Sequence, residues 1–326
     1  MFHPRKPDEP RIVFDCAAKS NGTSLNNELL QGPDNTSTLI GVINRFRVND
    51  IAVAADVKRM YHQVYVAPEH RGALCYLWWP KGDLKQEAKT YQMLVHIFGA
   101  TSSPSIAGYA LRKTAKDNEP YFSSEAIDAV LRDFYVDDLL KSFSNAEQGI
   151  IIAKEIQQLL AKGGFQLTKW ISNNRHVMSA FPVDERAPNV KNLDLQSDEL
   201  PVDRALGIHW NVEADTFNLV ARAREYPKNR RGVLSSISSI YDPLGFASPL
   251  LLPGREINQE LCGMKYDWMK IFRLIYWKKD LQFLITIAFN VVLSLQSLDR
   301  SQEQSYIIFP TPLNITVMEQ FHISVS

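Results

Sequence analysis

Cysteine is scarce. The 326 residues hold three, Cys16, Cys75 and Cys262, set far apart and without a C-x-x-C pair. That spacing excludes a disulfide framework and a zinc knuckle, and it suits a reducing compartment. Charge of one sign is missing too, because 36 Lys and Arg balance 36 Asp and Glu. A stand-alone nucleic-acid binder carries a basic surplus, so binding of that kind would have to come from a local basic groove. No apolar run reaches the roughly 20 residues of a membrane span. The strongest, residues 281–295, is interrupted by Gln282 and Asn290. The opening Met-Phe-His-Pro-Arg has no apolar stretch and no sign of a signal peptide, so the expected location is intracellular, in the cytoplasm and off the membrane. Asp-Thr-Gly and Asp-Ser-Gly triplets are absent, which removes the nucleus of an aspartic protease. No internal repeat or low-complexity segment is visible.

What remains is ordinary globular composition, 45% hydrophobic and 22% charged, on a chain long enough for two domains. Residues 11–15 read as a short strand. Residues 36–47 read as a helix, with Leu39, Ile40, Ile43 and Phe46 on one face. Ile51 to Ala55 is an apolar run of strand length that ends at Asp56. A strand pair is expected over 73–79 and 90–95, joined through Pro80-Lys81-Gly82-Asp83. Ser103-Pro104 opens a helix to about Lys116, and residues 125–133 make a second, short one. Phe134 to Phe143 suits a hairpin with Asp137 and Asp138 at its tip. Ser144 and Glu147 read as a capping box for a helix ending at Gly163-Gly164. Strands are expected near 165–171, 204–210 and 216–221. A helical region follows from about 232, broken at Tyr241-Asp242-Pro243-Leu244-Gly245, and residues 281–295 fit one more helix.

This arrangement brings three acids together if the hairpin pairs beside the strand that ends at Asp56. Nucleotidyl transfer needs carboxylates so disposed, because two divalent ions roughly 3.5–4 Å apart must lie between the attacking hydroxyl and the leaving phosphate. Magnesium takes oxygen ligands and completes its octahedron with phosphate oxygens. The plainer readings are turn chemistry for the Asp-Asp pair and capping for Asp56.

The neighbouring residues narrow the choice. Phe134-Tyr135-Val136-Asp137-Asp138 resembles the Tyr-x-Asp-Asp box of reverse transcriptases. Asp56-Val57-Lys58-Arg59-Met60-Tyr61 resembles their first palm motif, and Phe98-Gly99-Ala100-Thr101-Ser102-Ser103-Pro104 is similar to their Phe-Gly-x-x-x-x-Pro box. Arg11-Ile12-Val13-Phe14-Asp15 resembles a fingers strand. Leu29-Leu30-Gln31-Gly32-Pro33-Asp34, Leu77-Trp78-Trp79-Pro80, Leu167-Thr168-Lys169-Trp170 and Ser239-Ile240-Tyr241-Asp242-Pro243-Leu244-Gly245 are similar to the Pao/BEL group of LTR retrotransposons. The resemblance runs from residue 4 to about 263.

The resemblance implies an α/β right-hand polymerase core with a ferredoxin-like palm, partial fingers and a helical thumb-like remnant. Residues 1–221 would be fingers and palm, entered part-way through the fingers. Residues 222–265 would be a thumb- or connection-like segment of Pao type, and 266–326 a divergent tail. The implied activity is RNA-directed DNA polymerisation with an RNA template, a DNA primer and deoxynucleoside triphosphates. Asp56, Asp137 and Asp138 would be the catalytic residues, holding two Mg2+ ions or Mn2+ in their place. Arg11 would pair with the triphosphate, and Val57, Phe98 and Gly99 would line the nucleotide pocket. Tyr61 would exclude a 2′-hydroxyl, and Lys169 resembles the lysine that donates a proton to pyrophosphate. Ala205 to Trp210 looks like a primer-grip hairpin. For single residues the plainer alternatives stand: Tyr61 as a core aromatic, and Arg11 and Lys169 as solvated strand residues. For the whole chain the alternatives are an inactive transposon remnant that at most binds nucleic acid, and a metal-independent interaction domain.

Overall fold

The computed structural model describes residues 13–220, 227, 229–271 and the backbone of 292–295. The chain divides into two compact units, Met1–Gln196 and Ser197–Ser326. In the first unit, α1 (Leu25–Glu28) and α2 (Leu39–Phe46) precede β1 (Ile51–Val57) and a hairpin of β2 (Cys75–Trp78) and β3 (Lys89–Gln92). Helices α3 (Ser103–Asn118) and α4 (Ser124–Arg132) lead into β4 (Phe134–Tyr135) and β5 (Asp138–Phe143). Helix α5 (Ala146–Lys162), β6 (Leu167–Ser172) and the short α6 (Arg175–Ser179) follow.

Strands β4-β5-β1-β6 form one antiparallel sheet in that order. Side chains alternate across a strand, so every second residue of β1 faces the helices. Val53, Ala55 and Val57 are buried there with Leu139, Phe143 and Leu167. They meet Ala107 and Leu111 of α3, Ala126 and Val130 of α4, and Ile152, Ile156 and Leu159 of α5. Each larger aliphatic or aromatic side chain so buried contributes about 1.5–3 kcal/mol. The same alternation turns Asp56, between Ala55 and Val57, to the face away from these helices.

Helices α2, α4 and α5 begin where a side chain accepts from a free amide. Thr38 accepts from Gly41 N, Ser123 from Ala126 N and Asn145 from Gln148 N. Two expectations are corrected by these caps. The first long helix starts at residue 39 rather than 36, and it buries Val42, Ile43 and Phe46 while Ile40 is exposed. The cap of α5 is Asn145 and not Ser144, whose hydroxyl bonds Gln148 Oε1 at 2.8 Å instead. The strand expected over 11–15 is not found in its described part. Residues 13–15 belong to no strand, and Phe14 N donates to Phe98 O at 3.2 Å.

The second unit contains β7 (Val202–Ala205), β8 (Ile208–Asn211), β9 (Thr216–Val220), α7 (Arg230–Ile237), α8 (Ser248–Gly263) and β10 (Val292–Leu295). Its sheet order is β10-β9-β8-β7. The strand expected near 204–210 is divided into a hairpin, the shape that the resemblance gave Ala205 to Trp210, because Leu206 (φ 49°) and Gly207 (φ 89°) make a tight turn of left-handed residues. A Cβ on Gly207 would lie 2.8 Å from the Tyr241 ring, so glycine is also what lets that ring pack here. Asp242 accepts from Phe246 N at 3.0 Å and Ala247 N at 2.7 Å, which fixes the break between α7 and α8. Residues 292–295 pair with β9 as a strand, not as the helix expected over 281–295; residues 281–291 lie outside the described ones. Among the described residues no helix is long and apolar enough to cross a membrane.

Behind the first sheet, Asp133 carries two cations. Arg45 Nε lies 2.7 Å from Oδ1 and Lys141 Nζ 3.5 Å from Oδ2, and the Asp133 side chain is 8% exposed. Lys141 also reaches Glu125 at 3.6 Å. Removing one member of a buried charge group strands the others. Asp133→Ala should therefore destabilise the chain by about 3–5 kcal/mol, and Asp133→Asn by less, in denaturant melts. A second dependence comes from His96. Burial lowers its pKa from the ordinary 6.5, so the unfolded chain binds the proton more readily. Stability should fall as pH drops from about 6.5 through the lower folded-state value, and His96→Gln should flatten that part of a Tm-versus-pH curve.

Candidate metal and nucleotide site

The register of β1 against β5 places Asp56 directly opposite Asp138, with Tyr135 on the far side of Asp138. Directly opposed residues share a face, with Cβ atoms about 4.5–5.5 Å apart. Two carboxylates so placed repel, and a sheet gains nothing from that pairing. Asp137 sits in the turn between β4 and β5, and its carbonyl accepts from Val57 N at 2.8 Å. The structure thus brings the three acids to one end of the sheet, on the strand edge and the adjoining hairpin tip.

Backbone strain concentrates around them. Val136 (φ 56°) precedes Asp137, Arg59 (φ 50°) follows Asp56 by three residues, and Lys169 (φ 58°) lies inside β6. The left-handed region costs a non-glycine residue about 1–2 kcal/mol, and β-branched valine is among the least suited to it. Such strain persists where surrounding structure imposes it, and it clusters at working sites.

Lys169 shows what one of these conformations achieves. Ala54 pairs with Ile171 but Asp56 with Thr168, so Lys169 and Trp170 together stand opposite Ala55 alone. This is a β-bulge, which re-aims side chains. Trp170 is fully buried and stacks on Phe181 with ring centroids 4.2 Å apart. Lys169 turns the other way, its Nζ 2.7 Å from Asp56 Oδ2, with the two side chains 53% and 22% exposed. At that exposure the pair is worth at most about 1 kcal/mol.

Aromatic residues line the approach. The Tyr61 and Phe98 rings have centroids 4.8 Å apart, and His62 meets Phe98 edge-on at 5.3 Å. Burial of the ring, and then the Asp137 carboxylate, push the Tyr61 hydroxyl above its usual pKa. That places Tyr61 within electrostatic reach of the acids. Phe98 is 37% exposed. Gly99 has φ 111°, and a Cβ there would fall 2.1 Å from Phe14 O, so only glycine fits. Val57 is buried in the core, which leaves its backbone as the part near the site. Arg11 lies outside the described residues.

Two residues that build this region were not singled out from the sequence. Asn26 ties down the Gly99 loop, donating to Gly99 O at 3.0 Å and accepting from Thr101 N at 2.9 Å. It lies in α1, and nothing in the local sequence pattern marks it. Val136 is the variable position of the Tyr-x-Asp-Asp pattern and carries no signal of its own in the sequence.

The donor set, carboxylate oxygens alone, fits a hard divalent cation. Among the described residues, no three His, Cys, Asp or Glu side chains are gathered as a ready metal-binding group. One oxygen of Asp56 is held by Lys169. Asp56, Asp137 and Asp138 are the residues that would hold such a cation.

Comparison with known proteins adds the following. Residues 229–286 match the family described as a Pao retrotransposon-like RNaseH-like domain. The described part of that stretch contains α7 and α8. No curated protein sequence matches the chain. Among solved structures, a foamy viral protease-reverse transcriptase dRH in complex with double-stranded DNA superposes with a TM-score of 0.53 at 12% identity. The match covers 86% of this chain and 41% of that one, so the chain spans less than half of its structural relative. A foamy viral protease-reverse transcriptase in complex with RNA/DNA hybrid matches at TM-score 0.46 and 12% identity, over 78% and 29% of the two chains, which is too distant to carry an argument. The chain is therefore mixed α/β with a fold similar to a retroviral protease-reverse transcriptase, and its second unit carries a retrotransposon-related segment.

Proposed function

We propose that this chain contains the catalytic core of a retrotransposon reverse transcriptase, an RNA-directed DNA polymerase. Asp56, Asp137 and Asp138 hold two Mg2+ ions, with Mn2+ able to replace them. The observation that carries this reading is the pairing of Asp56 with Asp138 across β1 and β5. Opposed like charges are unfavourable in a sheet unless something positive lies between them. The ions supply charge neutralisation at the reacting phosphate. The rest is the work of this chain's residues: the β1–β5 register orients the carboxylates, and Val136 holds the Asp137 turn in a left-handed conformation.

In this reading residues 1–221 are fingers and ferredoxin-like palm, 222–265 a thumb- or connection-like segment and 266–326 a divergent tail. Arg11 and Lys169 approach the triphosphate, while Val57, Phe98 and Gly99 line the nucleotide pocket. The partners are an RNA template, a DNA primer and deoxynucleoside triphosphates. The foamy viral protease-reverse transcriptase dRH whose fold this chain resembles is itself in complex with double-stranded DNA, which supports a nucleic-acid partner. A second reading, a transposon remnant that binds nucleic acid without extending it, is favoured by one observation: Lys169 already neutralises Asp56.

Primer extension on an RNA template separates the two. The polymerase reading expects Mg2+-dependent extension by the purified chain, reduced below detection in Asp138→Asn and in Asp137→Asn. Both variants should keep or gain melting temperature, because each removes one of a cluster of like charges. Template binding with no extension under any divalent ion would establish the remnant.

Tyr61 provides a finer test. Its ring packs against Phe98 and lies near Asp137, where a sugar 2′-hydroxyl would have to pass. Tyr61→Ala should raise ribonucleotide incorporation relative to deoxynucleotide incorporation on the same primer. An unchanged ratio, with stability lower by about 3–5 kcal/mol, would make Tyr61 a packing residue only.

A further inference from the structure

Lys169 occupies a position that the sequence could have filled more cheaply. A bulge residue at φ 58° favours glycine, and the neighbouring Trp170 would reach the core just as well beside one. Lysine costs more there in backbone terms, yet it is present, and its ammonium lies 2.7 Å from Asp56 Oδ2. The contact is specific in its geometry. The bulge between Ala54 and Asp56 in the β1–β6 pairing sets Thr168 opposite Asp56, and Lys169, the extra residue beside it, still lays its ammonium on the Asp56 carboxylate. Ile171, opposite Ala54, is buried, while Lys169 at the acid edge is exposed.

The geometry points to an exchange: Lys169 is the resting counter-ion of Asp56, and a divalent cation entering between Asp56 and Asp138 displaces its ammonium. This rests on the metal-binding reading above and adds a consequence to it. Lysine and metal cannot both use Asp56 Oδ2, so they compete, and filling the site frees a positively charged side chain beside it. Its place in β6, paired with β1, keeps that side chain next to the acids after release. Charge therefore stays balanced at Asp56 whether or not a cation is bound, and the opposed carboxylates never face each other uncompensated.

Competition has a direct readout that does not depend on polymerase activity. Mn2+ binding to the full chain, followed by electron paramagnetic resonance titration, should tighten in Lys169→Gly and in Lys169→Met. An exposed ion pair sets the scale, a gain of about two- to fivefold. The glycine variant relieves the left-handed strain and so protects the fold, while the methionine variant keeps side-chain bulk. Acetylation supplies the second measurement. Mg2+ should raise the modification of Lys169 by acetic anhydride, read by peptide mass spectrometry against exposed Lys85. Asp56→Asn should raise it without Mg2+.

Mn2+ affinity unchanged or weaker in both Lys169 variants, with wild-type binding still lost in Asp138→Asn, would overturn the exchange and leave the metal site standing. Absence of Mn2+ binding in the wild type and in both Lys169 variants would overturn the exchange together with the metal reading. Binding that appears only once Lys169 is replaced would support the exchange in its strongest form.

Discussion

The structure of the first unit hangs on one pairing, β1 against β5, and on the charge conflict it creates. Six consecutive pairs run from Ile51 with Phe143 to Asp56 with Asp138. A shift of one residue would turn the apolar set of β1 to the wrong face, so burial of Val53, Ala55 and Val57 locks the register. That lock leaves no freedom at the last pair. Asp56 and Asp138 must face each other because the five pairs before them fit.

The rest of the acid edge follows from that conflict. Lys169, a bulge residue of β6, contacts Asp56, and the turn carrying Asp137 is held with Val136 in a left-handed conformation. The Gly99 loop approaches closely enough that a side chain there would collide with Phe14 O. Each feature lowers stability taken alone. Their concentration within one small region is what separates a site from a random set of surface acids. The Asp133 cluster offers the contrast, since it also gathers charge but pairs each ion with an opposite one and sits on ordinary backbone.

Fold and function are supported at different depths. The α/β architecture and its likeness to a foamy viral protease-reverse transcriptase describe the backbone path, at 12% identity. The Pao-type match covers residues 229–286 of the second unit, and the three acids belong to the first. The chemical reading therefore stands on the acids' own geometry. The Lys169 contact makes that reading testable by cation binding as well as by catalysis.

Much of this arrangement was legible in the sequence. The apolar run to Asp56, the hairpin around Asp137 and the helices from Ser103 and after Phe143 follow from periodicity and turn residues, which act over a few positions. Their ends were less legible: Asn145 displaced Ser144 as a cap because the two lie side by side and only backbone angles choose between them. The turn at Leu206-Gly207 was legible only through the resemblance to a primer-grip hairpin, since a leucine at φ 49° gives no local sign of a turn. What only the tertiary structure decided is which side chains meet across large separations. The Lys169 contact with Asp56 spans 113 residues, and the Asn26 clamp on Gly99 spans 73. Both depend on strand register, a bulge and a loop closure that no local pattern encodes, because they arise from how distant segments pack and not from the preferences of any one of them.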